Sequence, residues 1–548
     1  MQIPPAKRRP RRGFAAVFLV SLLVTLAWQW RGNAYGSEWS GDPDEPAHFV
    51  TGLMVHDYIA NGLPGPPMAY AKRYYYSYPK VALGHWPPMF YVMQAAWTLL
   101  FAPSRISLLL FMATLSALLL TATYALVATF FPPWMAWVSV LFLSTTNDLQ
   151  ASSRMVMAEI PVALFTLLAL AGLARYLDSA ERVDWRDALW FSGASLAAVL
   201  TKGTGIALAP MLFLSVACGR RWRLLRSGAF WLPPLLVAAL AAAWYLTAPE
   251  ALHQKVAMLG GFGVLRRSRI GDAFQYWIFS LGLAGGLLAL AGYLRKAWGV
   301  AAGTEKRGWW IVIVIFIPVT VACCVLFGTW EVRHLLNTVP LLMLCLCEGL
   351  DWVLAKVGRY RQAASVMATA ILALTAVRNV VAMPAKTHLG LDLVARDLVS
   401  RPEYAKDRFL IVSDAIGEGV FIAEVASREK RPGHIIERGT KVLAEESFLG
   451  DRVRLLFTTP EELMRFFEQT PDRVVVLDGI ESGEPYLKLV REAIRRYPER
   501  WQHLGVYPRA GAPLPLEILR LRDANPANIE NGALTCAGRV RLLREVDP

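Results

Sequence analysis

Long apolar runs, separated by short charged connections, dominate the first 384 positions of the chain. The first run extends from Phe14 to Trp30, and ten more follow near positions 106–130, 134–148, 160–176, 188–201, 205–218, 229–248, 274–293, 309–327, 335–355 and 362–381. A helix that spans a bilayer needs about 20 apolar residues, so the pattern predicts eleven transmembrane helices. Because several runs are shorter, we expect some helices to be thinned, tilted or broken around a cavity.

The basic residues of the connections orient these helices. Lysines and arginines crowd the stretch from Lys7 to Arg12, and the later even-numbered connections carry further groups of them, including the cluster from Arg220 to Arg226. Cytoplasmic loops are enriched in lysine and arginine, so the N-terminus is predicted to be cytoplasmic. No small-residue cleavage site follows Trp28, which favours an uncleaved anchor.

The apolar segment from Pro87 to Phe101 is too short for a regular spanning helix. Counting it as a span would move the later arginine clusters to the outer side of the membrane. It is therefore predicted to be an interfacial helix within a first outer loop of about 31–105. On this topology Asp44 and Glu159 both lie on the extracytoplasmic side.

The pattern changes to mixed polar and apolar residues after about position 385. Short β-like runs at 408–413 and 473–478 alternate with helical stretches at 460–469 and 484–496. This alternation indicates a soluble α/β domain over 385–548, which eleven spans place outside the cytoplasm. Gly417 and Gly419 are only a fragment of a nucleotide-binding loop, so an accessory or acceptor-guiding role is favoured over nucleotide binding. The fold class predicted is a polytopic α-helical membrane domain over 1–384 followed by this domain.

Composition agrees with a membrane protein. Of the 548 residues, 55% are hydrophobic and only 18% are charged. The net charge of +14 does not indicate nucleic acid as a partner, because the basic residues lie mostly between apolar runs. Five of the six cysteines fall within apolar runs, which argues against a disulfide framework or a thiolate metal site. A secreted disulfide scaffold, a coiled coil, a disordered chain and an outer-membrane barrel are therefore excluded.

The first outer loop contains the densest group of candidate catalytic side chains. Asp44, Glu45 and His48 lie within Gly41-Asp-Pro-Asp-Glu-Pro-Ala-His48. The plain alternative is a solvated turn before an interfacial helix of about 47–60, and a metal site on one helical turn is a further alternative. Tyrosines and tryptophans follow, ending at Tyr91, and one or two could stack on sugars although most are expected to form an interfacial aromatic belt.

Further ionisable residues lie at the predicted outer ends of spans. Arg154 and Glu159 lie at the outer mouth of one span, and such residues are functional candidates by default, although a structural pair between them is a rival interpretation. Lys202 interrupts an apolar stretch between two short half-spans, where backbone can line a cavity. Cations on the outer side run against the orientation bias and suggest an anionic ligand, with lipid headgroups as the alternative. These outer cations are Arg266, Arg267, Arg269 and Arg333, the last followed by His334.

Together these segments resemble the GT-C membrane glycosyltransferases, most closely the branch of protein O-mannosyltransferases and bacterial transferases that modify lipid A. The resemblance covers roughly residues 14–345 and rests on five segments in order. They are Asp44-Glu45, His85-Trp-Pro-Pro-Met-Phe-Tyr91, Arg154 with Glu159-Ile-Pro161, Leu200-Thr-Lys-Gly203, and Arg333-His-Leu-Leu with Pro340. The chain departs from relatives in having His85-Trp86 where several carry an acidic-basic pair, and Glu159 where an aspartate is expected.

The resemblance implies a polyprenyl-phosphate sugar donor and an active site on the outer face. By the same match Asp44 is the catalytic carboxylate, Glu45 its partner and Glu159 the second acidic position. Lys202, Arg333 and the outer arginines are expected to contact the donor phosphate. No cofactor is certain, and a divalent metal held by Asp44 and Glu159 stays open.

The function expected from the sequence is an integral glycosyltransferase of a bacterial inner membrane. A single displacement would invert the anomeric carbon and move the sugar to an extracytoplasmic lipid, glycan or protein. The rival class is a transporter or lipid-linked sugar flippase, which predicts repeated halves and charges near the bilayer midplane. Neither feature is visible in the sequence, and a non-catalytic scaffold is the third alternative.

The topology makes a direct prediction about the C-terminal domain. Alkaline phosphatase fused after Pro548 should be active, because that enzyme functions only after export and eleven spans place the C-terminus outside. A fluorescent reporter fused at the same position serves as the reciprocal control. Bright fluorescence with an inactive phosphatase would overturn the topology.

Overall fold

The structure is a computed structural model that describes residues 11–84, 86–179, 184–247, 268–326, 331–446, 453–469, 473–481 and 483–522. The described residues divide into two compact units. The helical unit lies within Met1–Gly32, Gly84–Met93 and Leu109–Pro384, and the α/β unit within Asn33–Leu83, Gln94–Leu108 and Ala385–Pro548. Most of the first outer loop groups with the C-terminal part in this division, and the predicted domain boundary near residue 384 stays a prediction.

Eight helices in the described residues are long and apolar enough to cross a membrane. Each corresponds to one of the predicted spans. Their limits as candidate spans are Gly13–Arg31, Arg105–Phe130, Glu159–Asp178, Gly228–Leu246, Ile270–Ala301, Gly308–Val325, Val332–Lys356 and Gly358–Ala382.

The other three predicted spans correspond to shorter elements. They are the helix Pro133–Ser144, the helix Trp185–Thr201 and the pair formed by the 3₁₀ helix Gly203–Leu208 and the helix Met211–Cys218. The predicted run over 134–148 is thus divided, because Thr145 and Thr146 separate Pro133–Ser144 from a second helix, Asn147–Ser153. The number of helices that cross the membrane stays a prediction.

One long helix of the helical unit, Ser268–Ala301, is kinked at Gly282. This residue has φ 69° and ψ 163°, a backbone conformation that glycine adopts at little steric cost. A Cβ atom at Gly282 would also lie 2.8 Å from Cγ2 of Thr375. Glycine at this position therefore permits both the bend and the close approach of the helix Arg361–Ala382.

In the residues that the structure describes, the α/β unit begins with helices of the first outer loop and continues with seven strands. Its loop helices are Asp44–Ala60, Pro67–Ser77 and, overlapping the helical unit, Met89–Leu100. Its C-terminal helices are Leu391–Ser400, Ala415–Arg428, Gly439–Val442, Pro460–Glu468 and Pro485–Arg496. The strands are β1 Arg408–Val412, β2 Ile435–Arg438, β3 Ala444–Glu446, β4 Val453–Leu455, β5 Arg473–Leu477, β6 Trp501–Tyr507 and β7 Leu516–Leu521.

Five strands form one mixed sheet in the order β2-β1-β5-β7-β6. Strands β2, β1 and β5 run parallel, with Phe409 opposite Ile436 on one side and Val474 on the other. Strand β7 is antiparallel to both β5 and β6. The continuous apolar run of β1 fits its place inside the sheet, because a strand covered on both faces needs no polar alternation.

A partly buried pair of His434 and Glu429 lies just before β2. His434 lies within hydrogen-bonding distance of Glu429 through Nδ1, and its Nε2 is 3.1 Å from the carbonyl oxygen of Tyr404. Its ring stacks on Phe409 with 4.5 Å between centroids. Burial lowers the pKa of His434, but the hydrogen bond and charge of Glu429 outweigh it, so the net pKa is raised.

This raised pKa predicts a pH-dependent stability of the folded protein. The stabilisation is fully present below the ordinary histidine pKa of about 6.5 and is lost as pH rises through the higher folded value. We expect the melting temperature in detergent to fall over that window, and His434→Gln to reduce the slope. His503→Gln, on exposed strand β6, is the control. An unchanged slope in His434→Gln would refute this assignment.

Candidate active site

Asp44 is the first residue of the helix Asp44–Ala60 in the α/β unit. Its side chain is half-buried, and its backbone N–H donates to Oδ1 of Asp42 at 2.9 Å. The preceding Pro43 favours a helix start here, because proline lacks the N–H that continuation of a helix would require. The local sequence therefore holds Asp44 at a helix N-terminus with part of its surface accessible.

Glu45 has a different environment from its neighbour. It is 1% exposed, and its Oε1 and Oε2 atoms lie 3.0 and 2.9 Å from Nζ of Lys386, which is itself buried. The N–H of Gly41 also donates to Oε2 at 2.9 Å. Both oxygens of Glu45 are thus engaged, so the two adjacent carboxylates are chemically distinct.

A second ionic cluster lies in the helical unit around Glu159. Glu159 begins the helix Glu159–Asp178 and is 2% exposed. Its Oε1 lies 2.5 Å from Nζ of Lys202 and 3.4 Å from Nε of Arg333. Among the described residues, the buried Oε2 of Glu159 has no hydrogen-bond partner. One buried carboxylate therefore holds two cations whose side chains are 15% and 23% exposed.

Broken helices bring the two cations to Glu159. Lys202 has extended backbone, φ −154° and ψ 145°, between the helix Trp185–Thr201 and the 3₁₀ helix Gly203–Leu208. Arg333 lies in the 3₁₀ helix Val332–Thr338. Gly205 permits the turn after Lys202, because a Cβ there would lie 2.7 Å from the backbone of Ala198. The predicted interruption at Lys202 is thus present, and it turns the lysine toward Glu159.

His334 orders the segment that contains Arg333. Its Nδ1 accepts the backbone N–H of Glu331 at 3.0 Å, while the Glu331 side chain caps the same 3₁₀ helix. Glu331 is also 2.8 Å from Nε of Arg333, but its side chain is 60% exposed. His334 therefore has a clear local structural role beside the ionic cluster.

Arg154 is buried but has backbone partners of its own. Its Nε donates to the carbonyl of Gln150 at 3.2 Å and its Nη1 to that of Pro384 at 2.7 Å. Gly32 packs against it, since a Cβ at Gly32 would lie 2.2 Å from the arginine Cδ. Because Glu159 binds Lys202 and Arg333, these contacts favour a role for Arg154 in joining segments of the helical unit.

Two of the remaining predicted site residues are buried, and four lie wholly or partly outside the described residues. His48 is buried on the helix that Asp44 begins, and Tyr91 is buried beside Phe90. His85, Arg266 and Arg267 lie outside the described residues, as does the side chain of Arg269.

One group of three side chains in the described residues could hold a metal ion by distance. It consists of Glu38, His388 and Asp392, whose ligand atoms lie within 4.8 Å of one another. Neither Asp44 nor Glu159 belongs to it. Glu38 already accepts backbone N–H groups of Leu389, Gly390 and Asp392, so its carboxylate caps the helix that follows.

The chain is similar to known proteins in sequence and in structure. Residues 75–256 match the family of dolichyl-phosphate-mannose-protein mannosyltransferases. No curated protein matches the chain, whereas several solved structures match it.

ArnT from Cupriavidus metallidurans bound to undecaprenyl phosphate is 12% identical, with a TM-score of 0.57 over 94% of this chain and 99% of that one. Its apo state matches with 13% identity and the same TM-score over 93% and 98%. Archaeal oligosaccharyltransferase AglB from Archaeoglobus fulgidus, in complex with an inhibitory peptide and a dolichol-phosphate, is 12% identical, with a TM-score of 0.53 over 94% and 75%. The chain has the GT-C fold.

The predicted fold class is thereby confirmed: a multi-pass helical membrane protein with strands in its C-terminal part. The family match over residues 75–256 covers the segments that contain Glu159 and Lys202.

Two ionisable residues with polar side-chain contacts, Lys386 and Asp148, carry no motif that marks them as candidates in the sequence. Lys386 follows the last predicted span, where a lone lysine carries no motif. Asp148 was included in a predicted span, yet its Oδ2 accepts the hydroxyl of Ser280 at 2.8 Å, and Asn379 donates to the Ser280 carbonyl. An aspartate at the end of an apolar run was a usable signal.

The Glu159 cluster predicts a specific pattern of stability. Lys202→Met should lower the free energy of unfolding by an amount near the lower end of about 3–5 kcal/mol. The buried carboxylate of Glu159 loses one cationic partner in this variant but keeps Arg333. Adding Glu159→Gln should recover much of the loss. Melting temperatures in one detergent would measure both effects.

The control is Arg361→Met, which breaks an exposed pair with Asp351 and should cost about 0–1 kcal/mol. Equal losses in the Lys202 and Arg361 variants would contradict the role of burial.

Proposed function

We propose that the protein is an integral membrane glycosyltransferase that moves a sugar from a polyprenyl-phosphate donor to an extracytoplasmic acceptor. The carrying observation is the accessible Asp44 beside a buried, paired Glu45, in a chain with the GT-C fold and a mannosyltransferase family match. ArnT with undecaprenyl phosphate and AglB with dolichol-phosphate support a lipid-phosphate carrier. The acceptor class is a lipid, glycan or protein of a bacterial cell envelope.

Asp44 is the proposed general base. The acceptor hydroxyl oxygen forms a bond to the anomeric carbon while the bond from that carbon to the phosphate oxygen breaks. The hydroxyl proton passes to Asp44, and the lipid phosphate leaves with the electron pair, so one displacement inverts the anomeric carbon. Glu45 is less suited to this role, because both of its oxygens are occupied by Lys386 and Gly41.

Lys202 and Arg333 are the proposed contacts of the donor phosphate. Glu159 anchors both from a buried position, and together the three carry a net positive charge. The cations are more exposed than the carboxylate, so they can stabilise charge that develops on the leaving phosphate. Glu331 competes for Arg333, but its exposed side chain can turn toward solvent. Any contribution from Arg266, Arg267 and Arg269 stays a prediction.

An apolar cavity in the helical unit supports a lipid-linked donor. Its volume is about 540 Å³, and it lies between the helices Ser268–Ala301 and Gly308–Leu326. The lining is almost entirely hydrocarbon and aromatic, including Phe274, Trp277, Leu290, Ile317 and Val325. Burial of a prenyl chain there would be favourable at about 25 cal/mol per Å² of apolar surface.

A transporter or flippase is the competing function. It would use a similar membrane cavity but would neither form nor break a glycosidic bond. The match to a mannosyltransferase family favours transfer. The two functions separate in detergent, where a transferase releases polyprenyl phosphate and a flippase leaves its lipid unchanged.

Replacement of Asp44 is the decisive test of the mechanism. Asp44→Asn keeps the size of the side chain but removes the base, so transfer should fall by at least about 10²-fold. Purified protein in neutral-lipid nanodiscs would be given a panel of polyprenyl-phosphate sugars and an envelope extract. Released polyprenyl phosphate and modified acceptor would be measured by mass spectrometry.

Asp184→Asn is the matched control, because Asp184 is also at a helix N-terminus, where it caps the helix Trp185–Thr201, but lies in a connection predicted to be cytoplasmic. It should transfer at the wild-type rate. Wild-type turnover by a folded Asp44→Asn protein would exclude Asp44 as the base. Flipping without release of polyprenyl phosphate by the wild type would favour the competing function.

A further inference from the structure

The sheet of the α/β unit has an edge at which ligands usually bind. In open α/β sheets, binding sites lie beyond the carboxyl ends of the parallel strands. Here those ends are Val412 of β1, Leu477 of β5 and Arg438 of β2. The residues that follow these strands therefore indicate whether this edge of the sheet can bind a ligand.

The polar side chains described below hydrogen-bond to one another at this edge. Asp478 accepts the hydroxyl of Ser413 at 2.5 Å and Nε of Arg509 at 2.8 Å. Glu418 accepts Nε of Arg438 at 2.7 Å and the hydroxyl of Thr440 at 2.6 Å. Both carboxylates are fully buried, so they stabilise the edge itself.

The first outer loop packs against the helix Ala415–Arg428, which starts at this edge. A Cβ atom at Gly419 would lie 2.7 Å from Cγ of Pro46, two residues after Asp44. Lys80 donates to the carbonyl of Ala415 at 3.3 Å. Glycine at 419 thus permits close contact with the start of the helix that carries the acidic pair.

Two largely buried contacts hold the part of the loop that contains Asp57 and Tyr78. Arg431 binds Asp57 in a bidentate manner, with distances of 2.8 and 2.9 Å. Tyr78 donates to Glu429 at 2.6 Å. Bidentate pairs of arginine and carboxylate fix orientation as well as distance, so this end of the loop has a defined geometry.

The segment that follows the last predicted span holds the near end of the loop. Asn33 donates to the carbonyl of Lys386 at 3.1 Å, and Ser40 donates to that of Thr387 at 2.8 Å. Glu38 accepts the N–H of Asp392 at 2.6 Å. Residues 386–392 therefore run alongside residues 33–40, just before the acidic pair.

Within this segment, Lys386 contacts the acidic pair directly through the carboxylate of Glu45. Its side chain is 6% exposed and that of Glu45 is 1% exposed. Loss of one partner from such a pair leaves a buried charge uncompensated. The carboxylate of Glu45 is therefore fixed by Lys386, and Asp44 occupies the adjacent position in the same helical turn.

We infer that residues 386–431 form a clamp on the first outer loop and that Lys386 is a positioning residue for transfer, acting on Asp44 through Glu45. The inference rests on the proposed function. It gives the C-terminal part a role in orienting the acidic pair in place of a nucleotide-binding role. A misplacement of about 1 Å at a reacting group can reduce turnover about 10²-fold.

The variants for the test are Lys386→Met, Lys386→Arg, and Glu45→Gln alone and combined with Lys386→Met. Arg473→Met is the matched control, because Arg473 and Glu437 form an equally buried pair at 2.7 Å in the sheet. Each protein would be compared at full length in nanodiscs. The readouts are kcat, KM for the donor, melting temperature and hydrogen exchange of peptides that cover residues 38–55.

Lys386→Met should lower kcat about 10- to 10²-fold with little change in KM, and should speed exchange in residues 38–55. Lys386→Arg should recover part of the turnover. The double variant should be no slower than the slower of its two single variants, because the effects of substitutions at two residues in contact are not additive. Arg473→Met should lose stability while its folded fraction keeps wild-type kcat and loop exchange.

Unchanged exchange of the loop in folded Lys386→Met would overturn the clamp. Equal losses of kcat in the Lys386 and Arg473 variants would reduce Lys386 to a residue that only stabilises the fold. If the wild type turns over no donor while Lys386→Met still frees the loop, the proposed function fails and the clamp stands.

Discussion

A carboxylate without access to water needs a nearby cation, and both candidate sites depend on this constraint. Moving a single charge out of water costs several kcal/mol even after relaxation of the protein. Glu45 meets the requirement with Lys386, 341 positions away, and Glu159 meets it with Lys202, 43 positions away. Each pair joins segments that the chain separates widely, so the charge requirement also fixes how those segments fold together.

Local patterns were sufficient to predict most elements of the fold. All eight long helices coincide with predicted apolar runs, because a run of this length has few other stable environments. Strands β1 and β5 begin at the predicted residues, Arg408 and Arg473, because their apolar runs are bounded by charged residues. The division at Thr145 and Thr146 was missed, since threonine is only weakly polar and does not interrupt an apolar run.

The partners of the charged residues could not be predicted in the same way. The sequence indicated Asp44, Glu45, Glu159, Lys202 and Arg333 by type and by position near the ends of apolar runs. A structural pair between Arg154 and Glu159 was a rival interpretation, because the two are close along the chain. The structure instead pairs Glu159 with Lys202 and Arg333 across a break in the helix, and long-range pairing of this kind leaves no periodic signal.

Burial rather than residue type separates the roles of the acidic residues. Asp44 and Glu45 are adjacent and carry the same group, yet one keeps accessible surface and the other is enclosed with both oxygens engaged. A base must reach its substrate, whereas a carboxylate enclosed with a buried lysine cannot leave that lysine without removing its charge partner. The same reasoning makes Glu159 an anchor for cations. Adjacent carboxylates can therefore divide reaction and positioning between them although both carry the same functional group.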